Sequence, residues 1–292
     1  MLRYFLLTLF TICTQFIQAQ NIIYVSSVGQ SNGVGSLESP YSSIAKALEA
    51  PEAHIKTGDT LKIIVRQGKY YLTKPIQIHR PFQRPILIIG DLYNKPQFIL
   101  GEPISAWQKY KGNVYRALLP EVKNGNWHFE QLYINGHRAE PCKTPNKGWI
   151  EVQDFENYVN PNNKSNNVRT VKVNPSILLP LKPLNRQERA ALRFEFIHNW
   201  DITRWSSSTI DFNNGTLRFT NCDMPPLNPI KKGSRMVIYN FPQALDRPGE
   251  WYLDRTEGYV YYIPLLGENM DTIQAIAPKG NRFMEIHGLP LG

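Results

Sequence analysis

The sequence predicts a mainly β protein: short strands opened by one small helix, interrupted by an antiparallel β module and resumed near the last residues. Three observations carry this expectation. The 292 residues include 22 Pro, 15 Tyr, 13 Phe and 6 Trp, a composition suited to strands and turns and poorly suited to a long helical bundle. Between residues 61 and 100, β-rich runs begin every 10 to 14 residues with turn residues at the corners. From about residue 107, strands come instead in pairs joined by Asn-Gly tips.

Residues 1–20 carry Arg3, the apolar run Tyr4 to Cys13 and a small-residue exit at Ile17-Gln18-Ala19, the pattern of a secretory signal peptide. Thr11 and Ile12 stand before Cys13, against lipid attachment there. The expected location is periplasmic or secreted, without membrane association once this segment is removed. Setting aside residues 1–20 with their one Arg lowers the formal charge from +9 to +8. Lys and Arg are scattered, with Lys231-Lys232 the one adjacent pair, so a solvated basic surface is favoured and no nucleic-acid partner is expected. Three cysteines exclude a disulfide scaffold and a multi-cysteine zinc site. A Cys142–Cys222 bridge and two unpaired buried thiols both remain open.

Residues 21–106 read as a cap and the first turns of a strand coil. The runs are Ile22–Val25, Leu61–Val65, Pro75–Ile78, Pro85–Ile89 and Pro96–Leu100. Such runs suit a sandwich, a barrel or a coiled solenoid. The helix at Ser42–Ala50, with Ile44, Ala47 and Leu48 as its apolar stripe, favours the solenoid, whose open first rung needs a cap. Residues 107–281 read as a separate antiparallel module. Its hairpins are Gln131–Ile134 with His137-Arg138, Thr209–Phe212 with Thr216–Phe219, and Glu250–Leu253 with Tyr259–Ile263. Asn160–Asn167 reads as a solvated loop, and Asn185–Leu192 as a short helix. Residues 282–292 return to the earlier pattern at Phe283–Leu289, as if the coil resumed and were cut. Residues 22–100 supply three or four rungs at roughly 20–25 residues each.

Tyr24-Val25-Ser26-Ser27, Ser39-Pro40-Tyr41-Ser42-Ser43-Ile44 and Gly58-Asp59-Thr60-Leu61 resemble the opening of exported right-handed parallel β-helix carbohydrate enzymes of the pectate-lyase-like superfold. Gln131 to Ala139 with Thr144-Pro145-Asn146, and Leu245 to Asp254 continuing through Tyr261-Tyr262-Ile263-Pro264, are similar to the insertion module of glycoside hydrolase family 141. The chain departs from that pattern at Glu140 and Cys142, where relatives carry further basic residues. The resemblance implies a glycoside hydrolase acting on fucosyl or xylosyl linkages of plant cell-wall polysaccharide. It also places the catalytic carboxylates on later rungs, beyond Gly292, so that the 292-residue form by itself is expected to be inactive. A polysaccharide lyase on the same superfold and a non-catalytic glycan-binding protein are the alternatives.

The sequence assigns no catalytic residue. Glycoside hydrolysis needs two carboxylates on a rigid frame, and the eligible acids of the module are Asp211, Asp223, Glu250 and Asp254. Glu250 and Asp254 bracket a hairpin strand and read more simply as turn caps. His-Glu-x-x-His and Cys-x-x-Cys spacings are missing, and neither metal nor cofactor is expected. For sugar binding the segment Phe196–Trp205 is the best candidate, because a flat indole stacks on a sugar face while polar neighbours orient it. Strict alternation would put Phe196, His198 and Trp200 on one face, which competes as ordinary core packing. The candidate substrate-binding residues are Trp200, Arg204 and Trp205, with Arg138 and Asn146 beside the first hairpin. Tyr252, Tyr261 and Tyr262 are expected to build the module's core.

Overall fold

The structure, a computed structural model, describes residues 21–30, 32–49, 60–79, 85–206, 209–224 and 227–287. The expected signal peptide lies outside these residues, as do the corners at Gly58-Asp59 and Arg80-Pro81 and the end of the last run at Gly288-Leu289. Among the described residues the protein is mainly β, and no helix is long and apolar enough to cross a membrane. Contacts divide the chain into two units, residues 1–102 with 279–292, and Pro103–Pro278.

The first unit is built of parallel pairs. β1 (Ile22–Gln30), β2 (Leu61–Val65) and β5 (Ile86–Gly90) form one sheet in that order. β3 (Lys69–Tyr71) pairs with β6 (Gln97–Ile99), and β4 (Ile76–His79) pairs with the strand Met284–His287, again in parallel. The chain therefore visits three ladders in one order, β2, β3, β4, and then repeats it as β5, β6 and Met284–His287. Parallel strands buried on a core face read as near-continuous apolar runs, and Val25, Leu61, Ile63, Val65 and Ile76 fill this core. The helix α1 spans Ile44–Leu48, shorter than Ser42–Ala50 because the Ser43 hydroxyl caps it, accepting from the Lys46 N–H at 3.2 Å. Ile44 and Ala47 face the core.

In the second unit almost every described pair is antiparallel, and among the described residues no sheet closes into a barrel. Asn135 and Gly136 both take positive φ (49° and 83°), the backbone a two-residue turn requires, and Ile134 pairs with His137 across them. Asp211 pairs with Thr216 and Asp254 with Tyr259, closing the other two expected hairpins. The solvated loop expected at Asn160–Asn167 is instead the tip and second strand of a long hairpin, Asp154–Asn160 with Asn163–Lys172. The inner edge of that second strand pairs with Thr216–Thr220, and this ladder extends a polar sequence beyond the core. The short helix is Arg186–Ala190, held by a capping box between Asn185 and Glu188.

Two cores support the module. One gathers Phe194, Phe196, Trp205, Leu217, Phe219, Met236 and Ile238. The other gathers Trp127, Phe129, Leu132, Trp251, Leu253, Val260 and Tyr262. Tyr252 and Tyr262 are buried and Tyr261 packs half-buried at the edge. Cys142 and Cys222 are both free, which excludes the bridge, and only Cys142 is fully buried.

Candidate functional site

The strands Arg193–Ile197, Ile202–Trp205 and Arg235–Tyr239 lie side by side in one sheet. Successive side chains alternate between its faces. Phe194, Phe196, Met236, Ile238 and Trp205 turn inward and are at most 6% exposed. Arg193 and Glu195 turn the other way. Across the strands Glu195 opposes Arg204, and Arg193 opposes Tyr239, so four polar side chains gather on one face.

Their contacts form a chain of charges. Arg204 Nε donates to Glu195 Oε1 at 2.7 Å, and Arg193 Nε lies 3.4 Å from the same oxygen. Arg193 Nη1 reaches Glu130 Oε2 at 3.1 Å, while its guanidinium sits 4.5 Å over the Tyr239 ring. Glu195 is 5% exposed, and a carboxylate so buried requires paired partners. Burial and the neighbouring Glu195 push the Tyr239 hydroxyl up to about 12, keeping it a neutral donor. The His128 imidazole, with help from Arg193, holds Glu130 down at about 2.

A cavity of about 220 Å³ opens over this face. Arg193, Arg204, Arg255, Glu130 and Tyr239 supply its polar lining, and Phe129, Leu192 and Trp251 contribute to its apolar wall. Asn240 closes one side by hydrogen bonding: its amide donates to the Ala191 and Leu253 carbonyls and its oxygen accepts from the Leu253 N–H. Chemically the cavity offers directed charged donors, one permanent carboxylate and an apolar wall, the combination that orients a small polar ligand. Glu130 is held in its charged form, and Glu195 is tied up by its ion pairs with two guanidinium groups.

Of the residues expected to bind substrate, Arg204 and Trp205 meet at this cavity. Arg204 projects from the sheet with its charge held by Glu195. Trp205 is a correction: its ring packs against Phe196 and Phe219, and its Nε1 donates to the Asp223 carbonyl at 3.0 Å. Adjacent residues of one strand face opposite ways, so Arg204 and Trp205 cannot both present side chains to one ligand. Trp200 is 71% exposed at the turn before Ile202, which overturns core packing for it and separates it from buried Phe196 and His198. It lies outside the lining, as do Arg138 and Asn146. Arg138 is exposed on the hairpin strand, and Asn146 Nδ2 donates to Asp246 Oδ1 at 2.8 Å, a long-range tether.

Three of the four acids eligible for catalysis, Asp211, Glu250 and Asp254, serve the backbone. Asp254 Oδ1 accepts from the Thr256 and Glu257 N–H groups, and Asp211 Oδ1 from those of Asn213 and Asn214. Glu250 Oε2 accepts from the Asp246 and Arg247 N–H groups inside the fold. Among the described residues no three His, Cys, Asp or Glu side chains gather as a metal site. Sequence reasoning missed Glu130, Arg193, Glu195 and Tyr239. The signal available was the alternation Arg193-Phe194-Glu195-Phe196, which puts two charges on the face opposite two phenylalanines.

No family model matches the chain, and no curated protein matches it. One solved structure, described as a glycoside hydrolase, aligns with a TM-score of 0.70 over 91% of this chain and 47% of its own length, at 19% identity. The likeness is one of fold. The chain spans about half the length of that glycoside hydrolase. A second solved structure, a complex of XylC with xylose, aligns at TM-score 0.36 and 19% identity over 88% of this chain and 31% of its own, too low a score to bear on the fold.

Proposed function

We propose that the protein is carbohydrate-active, of glycoside-hydrolase type, and that the cavity over Glu195 binds one sugar unit. In this reading the three parallel ladders are successive turns of a right-handed parallel β-helix, and residues 103–278 are an insertion into that coil. The repeated visiting order of the ladders supports it, as does the fold shared with the glycoside hydrolase over 91% of the chain. The observation that carries the functional reading is the charged face itself. Arg204 and Arg193 stand fixed by a buried carboxylate beside an apolar wall, and preorganised donors of this kind bind hydroxyl-rich ligands without a large ordering cost.

The cavity is smaller than the roughly 300–1,000 Å³ of drug-sized sites, which fits one ring better than an oligosaccharide. The substrate class is plant cell-wall polysaccharide with fucosyl or xylosyl linkages, on the resemblance of residues 129–149 and 236–264 to the family 141 module. Cleavage is not assigned to this cavity, because Glu130 is held in its charged form by His128 and Arg193 and Glu195 is engaged by two guanidinium groups. That same observation favours binding without cleavage as the second reading.

Calorimetric titration of the full chain with xylo- and fuco-oligosaccharides tests the proposal. Arg204→Ala is expected to weaken binding about tenfold or more, the usual loss for a charged hydrogen-bond donor, and to lower the melting temperature because Glu195 loses its nearer partner. Undiminished affinity in that variant, or no binding by the parent, would sink it. An unsaturated product absorbing in the ultraviolet would make the protein a lyase instead.

A further inference from the structure

The basic residues look scattered along the chain, but the first unit collects three of them. Arg66 and Lys69 flank the corner between β2 and β3, and Lys95 lies on the loop between β5 and β6. All three line one open groove of about 750 Å³, together with Tyr93, Asn94 and Gln97. Among the described residues no acidic side chain lines it.

The groove is built by the backbone. Arg66 N donates to the Val25 carbonyl at 2.8 Å, and the Tyr70 hydroxyl donates to the Arg66 carbonyl at 2.8 Å, pinning the corner from below. Gly68 takes a φ of 142°, and a Cβ there would come within 2.0 Å of Ser27 Oγ, so only glycine lets the corner close. Opposite, Asp91 N donates to the Val65 carbonyl, and Asp91 Oδ1 accepts from the Tyr93 and Asn94 N–H groups at 2.9 and 3.0 Å. The Gln97 N–H donates to the Gly68 carbonyl at 2.9 Å and ties the two walls together. The nearby carboxylate is thus committed to the loop, while the Tyr93 ring stands 94% exposed beside the cations.

We infer that this groove binds an acidic polysaccharide strand, its carboxylate or sulfate groups meeting Arg66, Lys69 and Lys95, one ring lying on Tyr93, and its hydroxyls meeting Asn94 and Gln97. Three cations and no lining acid select an anion. A single aromatic ring flanked by neutral amides fits a hydroxylated chain, whereas single-stranded nucleic acid channels carry several stacking rings. This site lies wholly in the first unit and stands independently of the cavity over Glu195.

The test uses the full chain in affinity gels and calorimetry with polygalacturonate, sulfated dextran, neutral dextran and a DNA duplex, at low and high salt. Retention by polygalacturonate or sulfated dextran, weakened by salt and absent with neutral dextran, is expected. The preferred polymer identifies the anion. The double variant Arg66→Gln/Lys95→Gln should bind about fivefold more weakly, and Tyr93→Ala about fivefold more weakly. Both change exposed side chains, and unchanged melting curves establish that the fold is retained. Arg204→Ala should leave this binding untouched, which separates the groove from the cavity. Absence of binding to either acidic polymer, full affinity in the double variant, or retention by DNA alone overturns the inference, even if neutral oligosaccharides still bind at the cavity.

Discussion

Glu130 is half exposed, yet its carboxyl titrates far below the ordinary 4.5 because the His128 ring and then Arg193 favour the charged form. A depressed folded-state value means that the pairing supports the fold above pH 4.5 and is lost as pH falls toward 2. Exposure limits its contribution to stability, so the direct measurement is an NMR titration of the Glu130 carboxyl. His128→Ala and Arg193→Met should both move it back toward 4.5, the former further. An unmoved titration in both would remove the charge chain from the site. At this scale a sequence reveals residue types but not their facing. Arg204 was recognisable as a charge in a strand that needed a partner, but the partner Glu195 emerged only with the pairing register. Trp205 looked like a platform until alternation assigned it to the core.

The strand Arg235–Tyr239 ends at Asn240, whose φ of 67° is tolerated by asparagine better than by most side chains. Its amide bridges the Ala191 and Leu253 carbonyls and the Leu253 N–H, joining the wall of the cavity to the strand Glu250–Asp254. Asn240→Ala should cost about 2–3 kcal/mol in denaturant unfolding, the toll of backbone groups left unpaired and a strained backbone, and should weaken sugar binding with it. A loss under about 0.5 kcal/mol, ordinary for a surface change, would show that the wall holds without it. Hairpins were legible where a turn demanded particular residues, as at Asn135-Gly136 and Asp254–Gly258. The hairpin Asp154–Lys172 was not, because its outer part is held by backbone pairing and partner strands and carries no apolar alternation from Asn160 to Asn167.

Each unit has its own core, with Ile63 and Val65 in the first and Phe194 in the larger cluster of the second. Phe194→Ala should cost about 3–5 kcal/mol, read by hydrogen exchange as faster opening of the sheet Arg193–Ile197 and Arg235–Tyr239. Protection of β1, β2 and β5 should stay as it was, and equal loss in both units would mean that they unfold as one. Strand spacing and turn type change near residue 107 in the sequence, and contacts divide the chain at residues 102 and 279. What could not be read was which strands pair. The partner of Ile76–His79 is Met284–His287, and the Gln77 amide donates to Glu285 across 208 residues of chain.

That separation bears on the order of events during synthesis. Closing a flexible loop of that length costs about 5 kcal/mol in chain entropy, before any constant term. Yet the strands Gly101–Ile104 and Ala275–Pro278, at the two ends of the interruption, are neighbours in one sheet. Once that sheet forms, the incoming and outgoing chains are already side by side, and the long loop becomes kinetically short. The pairing of these two strands thus acts as a clasp, bringing together the chain segments that lead into and out of the third parallel ladder.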